Sequence, residues 1–157
     1  MEFDQFLQKI RTLTEEIFIP NEHLLEENKN VPESIMDEIK NSGLFAISIP
    51  VEYGGLDYNM EQQVLLTFEF TKASAVYRSK FSTTIGLCSQ ALLDFGTHKQ
   101  KEMYLPGMAE GKIIGSFALT EPEAGSDATS IKTIAVKKND FYILNGTKKY
   151  ITNAPNA

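Results

Sequence analysis

Residues 117–127 read FALTEPEAGSD and mark the point where the pattern of the chain changes. An apolar run turns at Thr120 and opens into small residues around Gly125, which has no Cβ, so a ligand can approach the main chain closely. Successive N–H groups in such a turn form a concavity that binds anions. Thr120 and Ser126 add hydroxyls that both donate and accept hydrogen bonds. The stretch therefore predicts a binding site for a polar or phosphate-bearing ligand where a strand ends.

A second stretch, residues 148–154, reads KKYITNA. It places an aromatic, a branched aliphatic and a hydroxyl side chain next to one another at Tyr150, Ile151 and Thr152. These three types suit a flat heteroaromatic ring, since they offer a face for stacking, a wall and one hydrogen bond. Residues 148–154 are therefore a second candidate binding segment.

Both stretches resemble the acyl-CoA dehydrogenase family. The first is similar to the flavin-binding signature of that family and the second to its other flavin-contacting segment, and the intervening NGTKK also fits. Two upstream segments add support, namely residues 49–57, IPVEYGGLD, and residues 95–112, FGTHKQKEMYLPGMAEGK. A lone AGSD would be weak evidence, whereas four segments in the family's order are strong evidence. The resemblance as a whole extends over nearly the entire chain.

The resemblance implies a protein with an N-terminal helical domain, a middle β domain and a C-terminal helical bundle. We expect residues 1–113 to form the helical domain and residues 114–157 to begin the middle domain, which would make this chain the N-terminal portion of a longer enzyme. The predicted fold class is mainly α, an N-terminal helical bundle followed by the first antiparallel strands of a β-barrel domain. A helical half followed by a β half also implies separate domains.

Apolar residues recur every three or four positions before residue 110, which predicts five amphipathic helices. Pro32 fits the first turn of the second helix and Gly43 the position just past its end. A capping box at Thr97 begins the fifth helix, and Pro106 is expected to break it. The predicted buried positions are Phe3, Phe6, Ile10, Leu13 and Ile17 in the first helix; Ile35, Met36 and Ile39 in the second; Val64, Leu65, Phe68 and Ala75 in the third; and Phe81, Ile85, Cys88, Leu92 and Phe95 in the fourth.

Beyond Lys112 the pattern becomes that of strands. One strand is predicted first, and three more are expected to form an antiparallel meander. Asn139-Asp140 supplies the first turn of the meander, and Asn145-Gly146, a strong hairpin signal, supplies the second. The predicted strands are residues 114–119, 131–138, 141–144 and 148–152.

The resemblance implies that the cofactor is FAD. By position, the implied contacts are Phe117 near the ring system, Leu119 and Thr120 at its pyrimidine part, Gly125 and Ser126 at the pyrophosphate, Tyr150 and Ile151 against the ring, and Thr152 at the reactive nitrogen. Tyr150 stands where the family often has Trp, so it covers less of the ring. Taken singly, each of these residues also fits a core, turn or cross-strand position; their joint order favours a flavin site.

The acyl-CoA substrate is expected to lie against the fourth helix, where Thr83 and Leu87 would line its pocket, while Ser126 also contacts it. A plain role in the helical core stays open for both pocket residues. Arg78 and Lys80 have the charge to meet CoA phosphates, although solvated surface charge explains them better.

The reaction implied by the resemblance is oxidation of an acyl-CoA to its 2,3-enoyl-CoA. In the family the base is a Glu from beyond the middle domain, and no glutamate of this chain matches that position, Glu69, Glu102, Glu121 and Glu123 included. No catalytic residue and no metal ligand are therefore assigned. The implied partners are an electron-transferring flavoprotein and further copies of the enzyme, as a dimer or tetramer.

Two other functions stay open. One is an oxygen-using flavoprotein on the same scaffold, such as a nitroalkane oxidase or a flavin monooxygenase. The other is a non-catalytic helical module. A Glu base in the residues beyond Ala157 would favour the dehydrogenase, and its replacement would favour the oxygen-using enzyme.

Composition narrows the classes further. A net charge of −6 disfavours nucleic acid, which requires clustered Lys and Arg. Cys88 is the only cysteine, so no disulfide forms within the chain, and the two histidines are too far apart to suggest a metal site. The sequence begins with acidic residues and contains no long apolar run, so we expect no signal peptide, no membrane span and a cytoplasmic location.

Overall fold

The computed structural model describes residues 2–157. Within them, α1 continues as a π-helical turn at Thr14–Phe18, and a second π-helical turn at Thr83–Cys88 joins α5 to α6. No helix among these residues is long and apolar enough to cross a membrane. The α-helices are α1 (Phe3–Leu13), α2 (His23–Asn28), α3 (Glu33–Ser42), α4 (Met60–Phe70), α5 (Ala75–Ser82), α6 (Ser89–Phe95) and α7 (His98–Ala109).

The helical core is built on the buried side of α1. Phe6 and Ile10 lie inside it as predicted, together with Phe18, which the predicted pattern did not include. The other predicted positions, Phe3, Leu13 and Ile17, are half-buried. Phe18 packs edge-on against Phe70 with ring centroids 5.1 Å apart, and Phe70 packs against Phe81 at 5.2 Å. Edge-to-face pairs stabilise a core beyond the area they bury. One aromatic cluster therefore joins the first helix to α4 and α5.

The second predicted helix is confirmed as α3, with Ile35 and Ile39 buried. It ends at Gly43, whose φ of 95° is the left-handed conformation that favours glycine. The chain then turns directly into the core, where Leu44 and Phe45 are buried. The end of α3 therefore positions the short segment that packs beneath the later helices.

The third predicted helix forms as α4, but the buried face predicted for it is wrong. Leu66 and Phe70 are buried there, and Phe70 contacts the aromatic cluster. Apolar residues occur on several sides of α4, so the periodicity of the sequence did not determine which side would meet α1. The predicted positions on α4, Val64, Leu65 and Phe68, are exposed instead. Ala75, predicted for the same face, begins α5 and is also exposed.

The fourth predicted helix corresponds to α5, the second π-helical turn and α6 in continuous sequence. Phe81 and Ile85 are buried as predicted, and Cys88 and Leu92 are half-buried. Phe95 is exposed, contrary to the prediction, because it lies in the last helical turn beyond the packed part.

The fifth helix, α7, starts at the predicted capping box, in which Thr97 and Gln100 each satisfy the backbone N–H of the other. The predicted break at Pro106 is wrong, because α7 continues to Ala109. Proline removes one backbone hydrogen bond from the helix. Burial of Leu105 and Met108, on either side of the proline, offsets this loss.

The β part is smaller than predicted. β1 (Ile134–Lys138) pairs antiparallel with β2 (Phe141–Asn145) around the predicted Asn139-Asp140 turn. Residues 148–152 form no strand, and Asn145-Gly146 is not a hairpin turn. Gly146 instead brings its backbone against Thr133, where a Cβ would lie 2.1 Å from the Thr133 hydroxyl. This close contact directs the chain away from β2.

The strand predicted at residues 114–119 is also wrong, since that segment is irregular. Within residues 2–157 the only sheet has two strands, so this segment has no neighbouring strand to pair with. Every residue of β1 and β2 is exposed. The architecture is a helical bundle followed by two antiparallel strands, as the predicted fold class required. The domain boundary after residue 113 stays a prediction.

Candidate functional site

The approach to the site is attached to the helical core by Thr84. The Gly115 N–H donates a hydrogen bond to the Thr84 hydroxyl at 2.9 Å, and Thr84 is completely buried in the second π-helical turn. A Cβ on Gly115 would lie 2.7 Å from the Cys88 sulfur, so only glycine fits this close approach. Burial raises the pKa of the Cys88 thiol, which agrees with a packing role for this side chain.

From Gly115 the chain runs outward through the first candidate segment. Phe117 and Leu119 are 41% and 40% exposed, and Thr120 is half-buried. Core packing, the ordinary explanation for the two apolar residues, is therefore wrong within the described part of the chain. Two large apolar side chains and a threonine instead line an open stretch of irregular backbone.

The turn that follows is short and closed by backbone hydrogen bonds. Glu121 N–H donates to the Ala124 carbonyl at 2.9 Å, and Ala124 N–H donates back at 3.3 Å. The next residue, Gly125, faces open space, since no atom lies within 4 Å of where its Cβ would be. None of the backbone hydrogen bonds among residues 2–157 uses the N–H of Gly125 or Ser126. The uncovered amides and the space beside them fit an anionic group.

Asp127 caps the short turn that follows it. Its carboxylate accepts a hydrogen bond from the Thr129 N–H at 3.2 Å at the start of a short 3-10 turn. Hydrogen bonds from the Ser130 and Thr129 hydroxyls lower the pKa of Asp127. Ser126 is exposed beside it and takes no part in this cap.

The second candidate segment is strained at Tyr150. Its φ is 58°, in the left-handed region that bulky residues rarely adopt, and its side chain is 79% exposed. The Lys149 ammonium lies 4.6 Å from the centre of the ring, a cation–π contact. Tyr150 is not a cross-strand aromatic, because no strand forms there. Strain of this kind concentrates at functional sites.

The structure brings the two candidate segments together. The Lys149 N–H donates to the Thr120 carbonyl at 2.8 Å, and the Ser116 hydroxyl donates to the Thr152 carbonyl at 2.8 Å. Thr152 is exposed and Ile151 half-buried at this junction. Residues 117–120 and 149–152 therefore lie side by side, although they are separated by about thirty residues of sequence.

Glu121, which does not match the position of the family's base, has partners that the sequence did not indicate. The Glu121 side chain accepts hydrogen bonds from the Lys148 ammonium at 2.9 Å and from the Lys132 and Thr133 N–H groups at 2.7 and 2.9 Å. Hydrogen bonds from Lys148, Thr133 and Lys132 lower the pKa of Glu121 to about 2. The partners lie far along the chain, and no spacing rule connects them with the turn before Pro122.

The candidate substrate residues lie on the second π-helical turn. Thr83 is half-buried and Leu87 is exposed, while Ile85 between them belongs to the core. Interruptions of this type in α-helices are frequent at functional sites. Of the two candidate CoA-binding cations, Lys80 donates to the Asn30 side chain at 2.7 Å.

Two protein-family models match this chain, one over its helical part and one over the residues that follow. Residues 1–112 match the model of the acyl-CoA dehydrogenase N-terminal domain, and residues 116–157 match the model of the acyl-CoA dehydrogenase middle domain. The first match alone covers more than half of the chain.

Curated relatives show the same similarity. An acyl-CoA dehydrogenase of Bacillus subtilis (strain 168) is 35% identical over 144 residues, which cover 92% of this chain and 38% of the relative. The CarC subunit of the caffeyl-CoA reductase–Etf complex of Acetobacterium woodii is 40% identical over 131 residues, covering 83% of this chain and 35% of the relative. The chain thus spans between a third and two fifths of the length of these relatives.

Solved structures agree in fold. Butyryl-CoA dehydrogenase from Megasphaera elsdenii superimposes with a TM-score of 0.89 at 32% identity, covering 99% of this chain and 42% of that enzyme. A glutaryl-CoA dehydrogenase from Mycobacterium smegmatis in complex with FADH2 superimposes with a TM-score of 0.88 at 29% identity, covering 96% and 39% of the two chains.

Proposed function

This chain belongs to the acyl-CoA dehydrogenase family, and we propose that it supplies the helical domain and one side of the FAD site of an enzyme that oxidises an acyl-CoA to its 2,3-enoyl-CoA. One observation carries the proposal. The two segments with candidate flavin residues are joined by the 2.8 Å hydrogen bond from the Lys149 N–H to the Thr120 carbonyl, beside the uncovered amides of Gly125 and Ser126.

The residues of the site suit the parts of FAD. Gly125 and Ser126 present free N–H groups and a hydroxyl, which suit a pyrophosphate. Thr120 and Thr152 supply hydroxyls for the polar edge of the ring system, and Phe117 supplies an exposed apolar face. The proposed remaining contacts are Leu119, Tyr150 and Ile151. Bound FAD would supply the acceptor of the hydride that leaves the β carbon of the substrate.

We assign the acyl chain to the surface around the second π-helical turn. Leu87 offers an exposed apolar side chain there and Thr83 a half-buried hydroxyl, while the nearby Gly86 leaves open space. The hydrogen bond between Gly115 and Thr84 fixes this turn relative to the proposed flavin residues. Ser126 is proposed to meet the substrate as well as the cofactor.

Oxidation of this type also requires a base to remove the α proton. Glu69 and Glu121 do not suit that task, because a general base works best with a pKa near the operating pH, and hydrogen bonds with cationic partners lower the pKa of each to about 2. In line with the resemblance, we propose that the base belongs to a part of the enzyme outside these 157 residues.

The proposed partners follow from the family. Electrons are proposed to leave to an electron-transferring flavoprotein, in line with the CarC relative that belongs to an Etf complex. Assembly as a dimer or tetramer is proposed on the resemblance alone, and the cytoplasmic location stays the expectation drawn from the sequence.

A chimera tests the proposed function. This chain replaces the matching two fifths of Megasphaera butyryl-CoA dehydrogenase, and the purified protein is examined for visible flavin absorbance and for reduction of a dye by butyryl-CoA. We expect stoichiometric FAD and activity. A folded chimera that stays colourless in excess FAD, with helical circular dichroism intact, would refute the proposal.

Variants in the same chimera test the residues. Gly125→Ala, Thr120→Ala and Thr152→Ala are each expected to weaken FAD binding by about tenfold, the equivalent of one lost hydrogen bond or one close approach. Thr147→Ala is the matched control, since Thr147 is an exposed threonine between the two segments with no proposed contact. Equal affinity of all four variants would contradict the assignment of residues.

A further inference from the structure

The carboxylate of Glu121 is enclosed, although the two central residues of its turn are open to solvent. Glu121 is 7% exposed, whereas the next two residues, Pro122 and Glu123, are exposed. A buried carboxylate is costly unless it is paired and hydrogen-bonded. The surroundings of Glu121 must therefore supply that compensation, and they do so from residues 132–133 and from Lys148.

Four donors converge on the two carboxylate oxygens. Oε1 accepts from the Thr133 N–H at 2.9 Å, from the Thr133 hydroxyl at 2.5 Å and from the Lys148 ammonium at 2.9 Å. Oε2 accepts from the Lys132 N–H at 2.7 Å. A single carboxylate therefore joins the turn at residue 121, the entry to β1 and the beginning of the second candidate segment.

Lys148 extends this connection to the first candidate segment. Its ammonium also donates to the Leu119 carbonyl at 3.0 Å, and the next residue, Lys149, donates its N–H to the Thr120 carbonyl. Lys148 is 22% exposed, so its charge is partly shielded from water by the groups that it binds. The pair of Glu121 and Lys148 thus sits between the backbone of Thr120 and the chain that leads to Thr152.

The neighbouring acidic residue makes a very different contact. Glu123 forms an ion pair with Lys132 at 2.5 Å, but both side chains are about three-quarters exposed. Exposed pairs of this kind contribute little to stability. Glu123 therefore provides a matched control, two residues away in the same turn.

We propose that Glu121 and Lys148 are positioning residues for the cofactor, and that their ion pair fixes the spacing between Thr120 and Thr152 that a single flavin must bridge. This inference rests on the proposed function. Neither side chain is required to touch the cofactor: each acts through the backbone that carries the contacting residues.

Four variants test the proposal in the chimera defined above: Glu121→Gln, Lys148→Met, Lys148→Arg and Glu123→Gln. An amide has one acceptor oxygen and presents its NH₂ group to the converging donors. Glu121→Gln therefore disrupts the hydrogen bonds of residue 121 while the side chain keeps its size and shape. We expect Glu121→Gln and Lys148→Met to raise the dissociation constant for FAD about tenfold or more. Lys148→Arg keeps the positive charge, although its planar group places the donors differently, and it should lose less affinity than Lys148→Met. Glu123→Gln should stay within about threefold of the parent.

Two results overturn the proposal in this arm. One is FAD affinity of Glu121→Gln equal to that of the parent chimera. The other is an equal loss of affinity in Glu123→Gln, which would mean that any carboxylate of the turn has the same effect. If Lys148→Arg binds FAD more tightly than Lys148→Met does, the positive charge of residue 148 is required and not only the packing of its side chain.

Amide hydrogen exchange of the 157-residue chain provides a second arm that needs no flavin. Peptides that cover residues 117–121 and 148–152 should lose protection in Glu121→Gln and Lys148→Met, while peptides from α1 and α3 should not change. Equal protection in Glu121→Gln and Glu123→Gln overturns the proposal. If the parent chimera is colourless, the proposed function fails and this arm alone decides whether the ion pair holds the segments.

Discussion

The hydroxyl of Thr84 accepts a hydrogen bond from the N–H of Gly115 at 2.9 Å, inside the protein and at the point where helix gives way to irregular chain. The bond joins the second π-helical turn, with the candidate substrate residues, to the segment with the candidate flavin residues. Two halves of one proposed site are thereby held in a fixed relation by a bond that is out of contact with water.

Replacement of Thr84 by Val should release the start of the candidate segment. The shapes are similar, but Val leaves the buried Gly115 N–H without its acceptor, at a cost of about 1–3 kcal/mol in the free energy of unfolding. Urea unfolding measures the loss, and exchange of the Gly115 amide locates it. Thr84→Ser, which keeps the hydroxyl, should retain slow exchange at Gly115. Equally slow exchange in Thr84→Val would contradict the role of this bond.

Adjacent leucines on α4 test which face of that helix is buried. Leu66 is 1% exposed and Leu65 is 41% exposed. Leu66→Ala should therefore lower the free energy of unfolding by about 2–5 kcal/mol, as buried leucines do. Leu65→Ala, the same chemical change one position earlier, should cost less than about 1 kcal/mol. Similar losses for the two variants, measured by urea unfolding, would mean that the faces are assigned wrongly.

The contrast between these leucines shows where prediction from the sequence stops. Where a helix has a single apolar side, the sequence predicts which of its residues are buried, as it does for Ile35 and Ile39 in α3. α4 has apolar residues on more than one side, and only contact with the aromatic cluster selects Leu66. The break expected at Pro106 was wrong for a related reason, because tertiary burial of Leu105 outweighs one lost hydrogen bond.

The sequence indicates which residues are candidates for the site, but it does not indicate the hydrogen bonds that join the two segments. Residues 117–127 and 148–154 are predicted from their own chemistry and their resemblance, without the bonds that join them. One further connection runs through Glu121, whose partners lie eleven to twenty-seven positions further along the chain. Asn145-Gly146 also predicts a hairpin turn, which does not form. Gly146 packs against Thr133 instead, and Thr133 is itself a partner of Glu121. Non-local contacts of this kind leave no periodic signal.

Stability in acid should depend on Glu69. Hydrogen bonds from Arg11 at 2.8 Å and from Lys72 lower the pKa of Glu69 to about 2. A pKa that is lower in the folded than in the unfolded state stabilises the fold fully above the unfolded pKa, and this contribution disappears as the pH falls towards the folded one. The contribution of Glu69 is therefore present above a pH of about 4.5 and declines below it.

Unfolding in urea at several pH values between about 6 and 3 measures this dependence. Glu69→Gln should be less stable than the parent at the upper end and should lose less stability on acidification. Glu38→Gln, at an exposed position of α3 outside any ion pair among residues 2–157, should follow the parent curve. A parent curve and a Glu69→Gln curve of equal slope would show that the ion pairs contribute nothing.

The two-stranded sheet should be the least protected regular structure in the chain. All ten residues of β1 and β2 are exposed, and an isolated pair of strands is only marginally stable in water. Amide exchange should therefore be much faster in residues 134–145 than in α1 or α3, whose inner faces are buried.

Each strand also has a free edge, which another chain can pair with. Exchange should be measured at several protein concentrations, because protection that appears only at high concentration would reveal such pairing. Strong protection at every concentration would contradict the marginal stability of this sheet.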